Sequence, residues 1–91
     1  MNDNYLTRIA EQIRTRVPEE LLPDDEATEL FLAYAVLARV KGVGVTASDV
    51  HDAWCAWMMT RTPDHESLVP YSELPEDVQR EDPPFVSAIR A

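Results

Sequence analysis

The sequence is short of cysteine, of basic residues and of long hydrophobic runs, and each shortage excludes a class of protein. A single cysteine, Cys55, leaves no partner for an internal disulfide, so we expect a reducing, cytoplasmic environment. The longest apolar run, Leu30–Ala38, is too short to span a bilayer. Because no basic segment followed by an apolar run opens the chain, we expect no signal peptide and no membrane association.

Basic residues are outnumbered by acidic ones, 8 against 17, which gives a net charge of −9 at pH 7. Such a surface repels phosphate backbones, so we expect no binding to nucleic acid. The same charge suits docking on a basic protein surface. We disfavour mimicry of nucleic acid, because the acidic residues are spread along the chain and are often close to an arginine.

Glycine is also scarce, and together with 45% hydrophobic residues this indicates one ordered domain of 91 residues rather than a disordered chain. The seven prolines all lie outside the longest apolar run, and we expect them to mark the ends of helices. We predict an all-α, single-domain bundle of about four to five short helices. Residues 1–45 are expected to form an N-terminal helix pair, followed by a second segment over residues 46–91.

The N-terminal half has the pattern of two helices. Four apolar residues recur at helical spacing, at Leu6, Ile9, Ile13 and Val17. They predict a first helix over residues 5–17, capped by one of residues 2–4. A second helix is predicted from Asp24 or Asp25 to Lys41. Because its middle is apolar on nearly every side, we expect it to be the central helix or to contribute to a dimer interface.

The C-terminal half contains three further helix starts. Thr46–Asp49 matches the capping-box pattern and predicts a third helix from about Ala47 to Arg61. Pro70 disfavours helix at the residue before it, which predicts a short extended segment over Leu68–Tyr71. A fourth helix is predicted from Pro75 and a terminal helix over residues 83–90.

Residues able to support catalysis or metal binding are few. His51 and Cys55 are four apart, a spacing found in metal sites, but no Cys-x-x-Cys or His-x-x-x-His pair accompanies them. We therefore expect no metal and no cofactor, with His51 bonded to a backbone or carboxylate group. Cys55 lies in the middle of a predicted helix, where no helix N-terminus activates its thiol. Ser67 lies near His65 but nothing marks it as activated, so we expect no enzyme activity.

The segment from Val50 to Ile89 carries a resemblance to a known family. It contains His51-x-x-Trp54, then His65-x-x-Leu-Val-Pro-Tyr-x-Glu-Leu-Pro-Glu, and Asp82 six residues later. This order resembles the ryanodine-receptor repeat (RyR) domain, a small, mostly helical module of animal calcium channels that also occurs in bacteria and phages. The N-terminal half is similar instead to short proteins of unknown function from actinobacteria and their phages. The resemblance implies a binding or interaction module rather than an enzyme.

One departure from the repeat affects the expected ligand. In the larger receptors the repeat is implicated in binding adenine nucleotides, and a long stretch with a second Trp and a Tyr-Gly pair follows the first motif. Here ten positions separate Trp54 from His65, and Glu66 stands where the repeat usually has Pro. Because this stretch is shortened, we rank docking on a host or self protein ahead of binding a small nucleotide-like ligand.

The candidate ligand- or partner-binding residues are His51, Trp54, Trp57, Arg61, His65, Tyr71 and Glu73. A nucleotide-like ligand would lie between Trp57, Tyr71, His65 and Arg61, stacked on the aromatic rings. For Trp54 we favour a core position, beneath the extended segment. A protein partner would be approached through the acidic residues of positions 73–82 or through the apolar second helix.

Overall fold

The computed structural model describes residues 4–22 and 27–91, and this part of the chain is helical without strands. The α-helices are α1 (Tyr5–Arg16), α2 (Thr28–Lys41), α3 (Ala47–Met59), α4 (Glu76–Gln79) and α5 (Pro83–Arg90). Short 3₁₀ helices lie at Glu19–Leu21, Gly42–Gly44 and Tyr71–Glu73. The predicted class, a small all-α fold, is confirmed. No helix within these two ranges has the length and apolar character needed to cross a membrane.

Helix α1 begins at one of the three predicted caps. The Asn4 side chain accepts the backbone N–H groups of Leu6 and Thr7, and the Thr7 hydroxyl accepts the N–H of Asn4 at 2.8 Å. This reciprocal arrangement satisfies amides that have no partner within the helix. Pro18 follows the end of the helix, as predicted.

Helix α2 is the central helix, since α1, α3 and α5 all pack against it. Its inward residues are fully or almost fully buried, at Leu30, Phe31, Tyr34 and Ala35. The opposite face of its C-terminal half is open, with Val36 46% and Val40 74% exposed. The predicted caps at Asp24 and Asp25 lie outside the described residues.

The hydrophobic core joins the two halves of the sequence. Ile13 of α1, Phe31 of α2, Val50 of α3 and Ile89 of α5 belong to one buried cluster. Burying these side chains stabilises the fold by about 1.5–3 kcal/mol each. The C-terminal helix is further tied to the α2–α3 connection, because the Arg90 Nε donates to the backbone carbonyl of Val45 at 2.9 Å.

Helix α3 has the predicted start and an earlier end. The Thr46 hydroxyl accepts the Asp49 N–H at 3.2 Å, and the Asp49 carboxylate accepts the Thr46 N–H at 2.9 Å. The helix ends at Met59 rather than Arg61. The Thr60 N–H donates to the Trp57 carbonyl, three residues back, and the chain turns at Thr60 and Arg61. Pro63, which has no N–H to donate, follows this turn.

Candidate functional site

The chain after α3 folds back along that helix through a short extended segment. Leu68–Pro70, here called the strap, contains no helical residue, and Pro70 has φ −55° and ψ 147°. Tyr71 already begins a 3₁₀ helix, so the extended segment is one residue shorter than predicted. The residue before a proline is disfavoured in the α region, which accounts for the straight path of the strap.

His51 anchors the strap to α3. Its side chain is only 4% exposed, and its Nε2 donates to the backbone carbonyl of Val69 at 2.7 Å. Because a carbonyl only accepts, Nε2 carries a proton. The Cys55 Sγ lies 3.2 Å from the same nitrogen and 4.0 Å from the Ser67 carbonyl oxygen. Of the two kinds of partner predicted for His51, a backbone group or a carboxylate, the structure shows the backbone carbonyl.

Four rings cluster around this anchor. The imidazole of His51 stacks on the indole of Trp54, with centroids 5.6 Å apart and an 18° interplanar angle. His65 meets Trp54 edge to face at 5.1 Å, and Tyr71 meets His51 at 6.3 Å. Trp54 thus packs against the core at the place where the strap crosses α3, and one of its faces is covered by His51.

His65 is held in place by its own loop. Its Nδ1 accepts the Ser67 N–H at 3.0 Å, and its backbone N–H donates to the Thr62 carbonyl at 3.0 Å. In the neutral ring the proton therefore lies on Nε2. These bonds order the loop and fix the ring beside Trp54.

A cleft of about 320 Å³ opens between α3, this loop and the turn after α4. Its lining residues are His51, Trp54, His65, Ser67, Val78 and Glu81. Helix α4 is positioned by Gln79, whose side-chain amide donates to the carbonyls of Tyr71 and Leu74 at 3.0 and 3.2 Å. Hydrogen bonds therefore fix the elements on both sides of the cleft, α3 on one side and α4 on the other.

The structure brings together three of the seven predicted binding residues. His51, Trp54 and His65 line the cleft, whereas Trp57, Arg61, Tyr71 and Glu73 do not. The Arg61 guanidinium instead lies over the Trp57 ring, 4.8 Å from its centroid. Of the four residues proposed to surround a nucleotide, His65 alone lines the cleft.

Sequence reasoning did not place Val78 and Glu81 at the cleft. Their spacing of three puts them on the same side of one turn, and the Glu81 N–H donates to the Val78 carbonyl at 3.1 Å. The sequence shows that Val78 and Glu81 share one side of the turn, but which side of α4 faces α3 depends on the path of the strap. The sequence does not specify that path.

Much of the net charge lies in the segment that supplies four of the six lining residues, His65, Ser67, Val78 and Glu81. Residues 62–82 contain seven acidic residues and one arginine, a formal charge of −6 within a total of −9. Asp82, in this segment, is close enough to His51 for their charges to interact. Burial raises the pKa of the Asp82 carboxyl to about 6, while His51 opposes and Glu81 adds to this shift.

Cys55 is not prepared for nucleophilic chemistry. Burial raises the pKa of its thiol, and the charges of Asp52 and Asp82 raise it further. Since the thiolate is the nucleophilic form, this environment keeps the group inert at neutral pH. Within residues 4–22 and 27–91, no three His, Cys, Asp or Glu side chains are placed to hold a metal ion.

Comparison with known proteins gives a family without a described activity. A family model for a domain of unknown function, DUF7701, matches residues 4–91, and the chain belongs to this family. The match includes both the N-terminal helices and the segment that carries the strap and the cleft. No curated protein and no solved structure matches the chain.

Proposed function

We propose that this DUF7701 domain is a non-catalytic interaction module that docks on a basic segment of a host or self protein. The observation that carries the proposal is the coincidence of the cleft with the acidic segment. Two thirds of the net charge lie in residues 62–82, and the cleft opens in this region. Clustered charge of one sign speeds association with an oppositely charged partner and repels partners of like charge.

The environment of the reactive side chains supports a binding role rather than catalysis. His51 uses Nε2 to hold the strap, and burial keeps the Cys55 thiol protonated. A nucleophile needs a base that is free to take its proton, and this pair does not supply one. The resemblance of residues 50–89 to the RyR repeat supports the same role, since that repeat is a binding module.

A nucleotide-like ligand remains the alternative, and the charge around the cleft weighs against it. Glu81 lines the cleft, and Glu66 and Asp82 lie next to lining residues in the sequence. A phosphate brought to this region would meet several carboxylates at short range, which costs affinity unless cations screen them. Docking of a basic protein segment therefore ranks first.

The docking proposal is tested by titrating the domain with a fluorescent oligo-arginine peptide and following the anisotropy. We expect saturable binding that weakens as salt is added, because exposed charges are screened within about 10 Å at 0.1 M. The triple variant Glu66→Gln, Glu73→Gln, Glu81→Gln should bind at least about fivefold more weakly, since each exposed charge contributes up to about 1 kcal/mol.

A matched control removes the same number of charges from the other end of the molecule. Glu11, Glu19 and Glu20 are exposed on α1 and the following 3₁₀ helix, so Glu11→Gln, Glu19→Gln, Glu20→Gln should change the affinity by less than about twofold. Equal losses in the two variants would mean that only net charge matters and would contradict the proposal. If ATP binds the domain tightly and displaces the peptide, the result would favour the nucleotide alternative.

A second copy of the chain is a further candidate partner, and the open face of α2 favours it. Val36 and Val40 lie one turn apart and are 46% and 74% exposed, and Val43 just beyond them is 80% exposed. Two copies packed with α2 antiparallel about these valines would cover the exposed apolar face of each chain with that of the other.

Sedimentation velocity at increasing concentration tests this self-association. We expect the wild-type mass to rise toward a dimer, and Val36→Glu, Val40→Glu to stay at the mass of one chain. Met59→Glu is the control, because Met59 is 59% exposed but lies at the end of α3. A wild-type protein that remains monomeric throughout would exclude the α2 interface.

A further inference from the structure

We infer that the cleft is a pocket for a single arginine side chain supplied by the docked partner. This inference rests on the proposed docking function and assigns the contact that gives it specificity. Acidic charge alone would attract any basic segment, whereas a shaped cleft selects one side chain. The size of the cleft permits a long side chain, and its apolar lining and its carboxylate support arginine as the occupant.

The cleft is large enough to admit a long side chain. Its volume of about 320 Å³ lies at the lower end of the range of ligand pockets, which run from about 300 to 1,000 Å³. The volume therefore permits arginine without selecting it, and the choice of occupant rests on the chemistry of the lining.

The apolar lining matches the stem of a long basic side chain. Val78 and the partly buried Trp54 line the cleft and offer apolar surface to methylene groups. Arginine and lysine both bury their stems on such surfaces while their charged ends remain in polar surroundings. Because His51 stacks on one face of Trp54 and His65 meets the ring at 5.1 Å, the ligand would reach the indole only where it lines the cleft.

The polar lining matches the charged end. Glu81 contributes a carboxylate and Ser67 a hydroxyl oxygen, both of which accept hydrogen bonds from a cation. The Nδ1 of His65 already accepts the Ser67 N–H and is therefore not a further acceptor for the ligand. Next to the indole, a planar guanidinium is favoured over an ammonium, since it stacks on aromatic rings and is less strongly hydrated.

The same helix already shows this pairing at its outer end. The Arg61 guanidinium lies over the Trp57 ring at 4.8 Å, one turn from the indole that lines the cleft. On the other side of the molecule, Arg39 lies over the ring of Tyr5 at 5.1 Å. Some arginines of this chain thus lie over aromatic rings, while others, such as Arg90, bond backbone carbonyls. The contact between Arg61 and Trp57 shows that an indole on this side of α3 can accept a guanidinium.

The test uses three small probes in NMR titrations of the ¹⁵N-labelled domain. They are N-acetyl-arginine methylamide, its neutral isostere with citrulline, and the lysine equivalent. We expect the arginine probe to shift the indole N–H resonance of Trp54 and the amides of Ser67 and Glu81, with little effect from the citrulline probe. Assignment of the indole signal uses Trp57→Phe, which leaves the cleft lining unchanged.

A single-charge variant connects the cleft to peptide docking. Glu81→Gln should weaken binding of the oligo-arginine peptide by about fivefold, whereas Glu73→Gln, also exposed and in the same acidic segment, should weaken it by less than about twofold. Both residues are on the surface, so neither change is expected to affect folding, and thermal unfolding of the two variants checks this.

The outcomes separate the cleft from the docking function. Peptide binding with equal effects of the two variants and no Trp54 shift would overturn the arginine pocket and leave docking in place. A Trp54 shift with the arginine probe but no peptide binding would overturn docking and leave the pocket. Equal shifts from the lysine and arginine probes would overturn the choice of arginine.

Discussion

At the scale of single residues, His51 has the largest structural role in the site. It stacks on Trp54, holds the Val69 carbonyl at 2.7 Å and lies close enough to Asp82 for their charges to interact. One buried side chain thus connects α3, the strap and the start of α5. The cleft depends on this connection, because the strap and the loop before it form one of its walls.

Asp82 gives a prediction about pH. Its pKa rises from the ordinary 3.8 to about 6 on folding, so the folded state binds the proton more tightly than the unfolded state. Its contribution to stability is complete below about pH 4 and is lost as the pH rises toward 6. Because the carboxyl is half exposed, its ionisation above pH 6 lowers the free energy of unfolding by about 1–2 kcal/mol.

Asp82→Asn removes this cost and keeps the shape of the side chain. We expect the free energy of unfolding at pH 7.5 to rise by about 1 kcal/mol, and the difference from wild type to vanish near pH 4. No helix cap is lost, since the Asp82 side chain makes no capping hydrogen bond. Urea unfolding from pH 4 to 7.5 measures the effect, with Asp77→Asn as the exposed control.

The charged groups that act on Asp82 are His51 of α3 and the neighbouring Glu81, and the charge of Asp82 in turn raises the pKa of Tyr34 and of Cys55. Among them, the cationic form of His51 would favour the ionised carboxyl, while Glu81 opposes it. A loss of stability for Asp82→Asn at pH 7.5 would mean that attraction to His51 outweighs burial, contrary to the prediction.

The sequence indicated a hydrogen-bond partner for His51 and a core position for Trp54, but it left the position of Trp57 open. A histidine among apolar residues on a helix needs a hydrogen-bond partner, so a backbone acceptor was a natural prediction. Trp54 and Trp57 are three apart and both fit the inner side of α3 by spacing alone. Which of them lies beside His65 depends on where the chain returns, which is a tertiary feature.

At the scale of elements, the capping signals were the most dependable part of the sequence. The capping box predicted at Thr46 and one of the three caps predicted for α1, Asn4, both occur in the structure, because a cap is decided by residues within one turn. The end of α3 and the 3₁₀ helix at Tyr71 were not predicted correctly. The 3₁₀ helix directly follows Pro70, and α3 ends four residues before Pro63 in a turn, where several turn geometries compete at similar energy.

Thr46→Ala tests how much the cap of α3 contributes. The Thr46 hydroxyl accepts the Asp49 N–H, and the Asp49 carboxylate in turn binds Lys41 at 2.9 Å. We expect a loss of about 1 kcal/mol in the free energy of unfolding, measured by urea denaturation. Ser48→Ala, in the same exposed turn, should be close to neutral, and an equal loss in both variants would show that the cap contributes nothing.

At the scale of the whole molecule, two surfaces of different character lie on one small core. The segment 62–82 carries a formal charge of −6 and contains the cleft. The C-terminal half of α2 presents exposed valines beside Arg39 and Lys41. This asymmetry allows one surface to meet a basic partner while the other is available to a second copy of the chain.

Part of this asymmetry was visible in the sequence. The all-α class followed from periodicity, and the apolar second helix was correctly expected at the centre. The sequence could not distinguish the exposed face of α2 from its buried face, because apolar residues occur on nearly all sides of this helix. The cleft could not be predicted at all, since its lining comes from α3, a loop and the residues around α4.

Docking on a basic segment is tested most directly by an NMR titration of the ¹⁵N-labelled domain with an oligo-arginine peptide. We predict that the shifted backbone amides fall in residues 62–82 and in the part of α3 around Trp54, with α1 and α2 unchanged. Shifts confined to α1 and α2, or no shifts at concentrations where the peptide is in large excess, would contradict the proposed docking function.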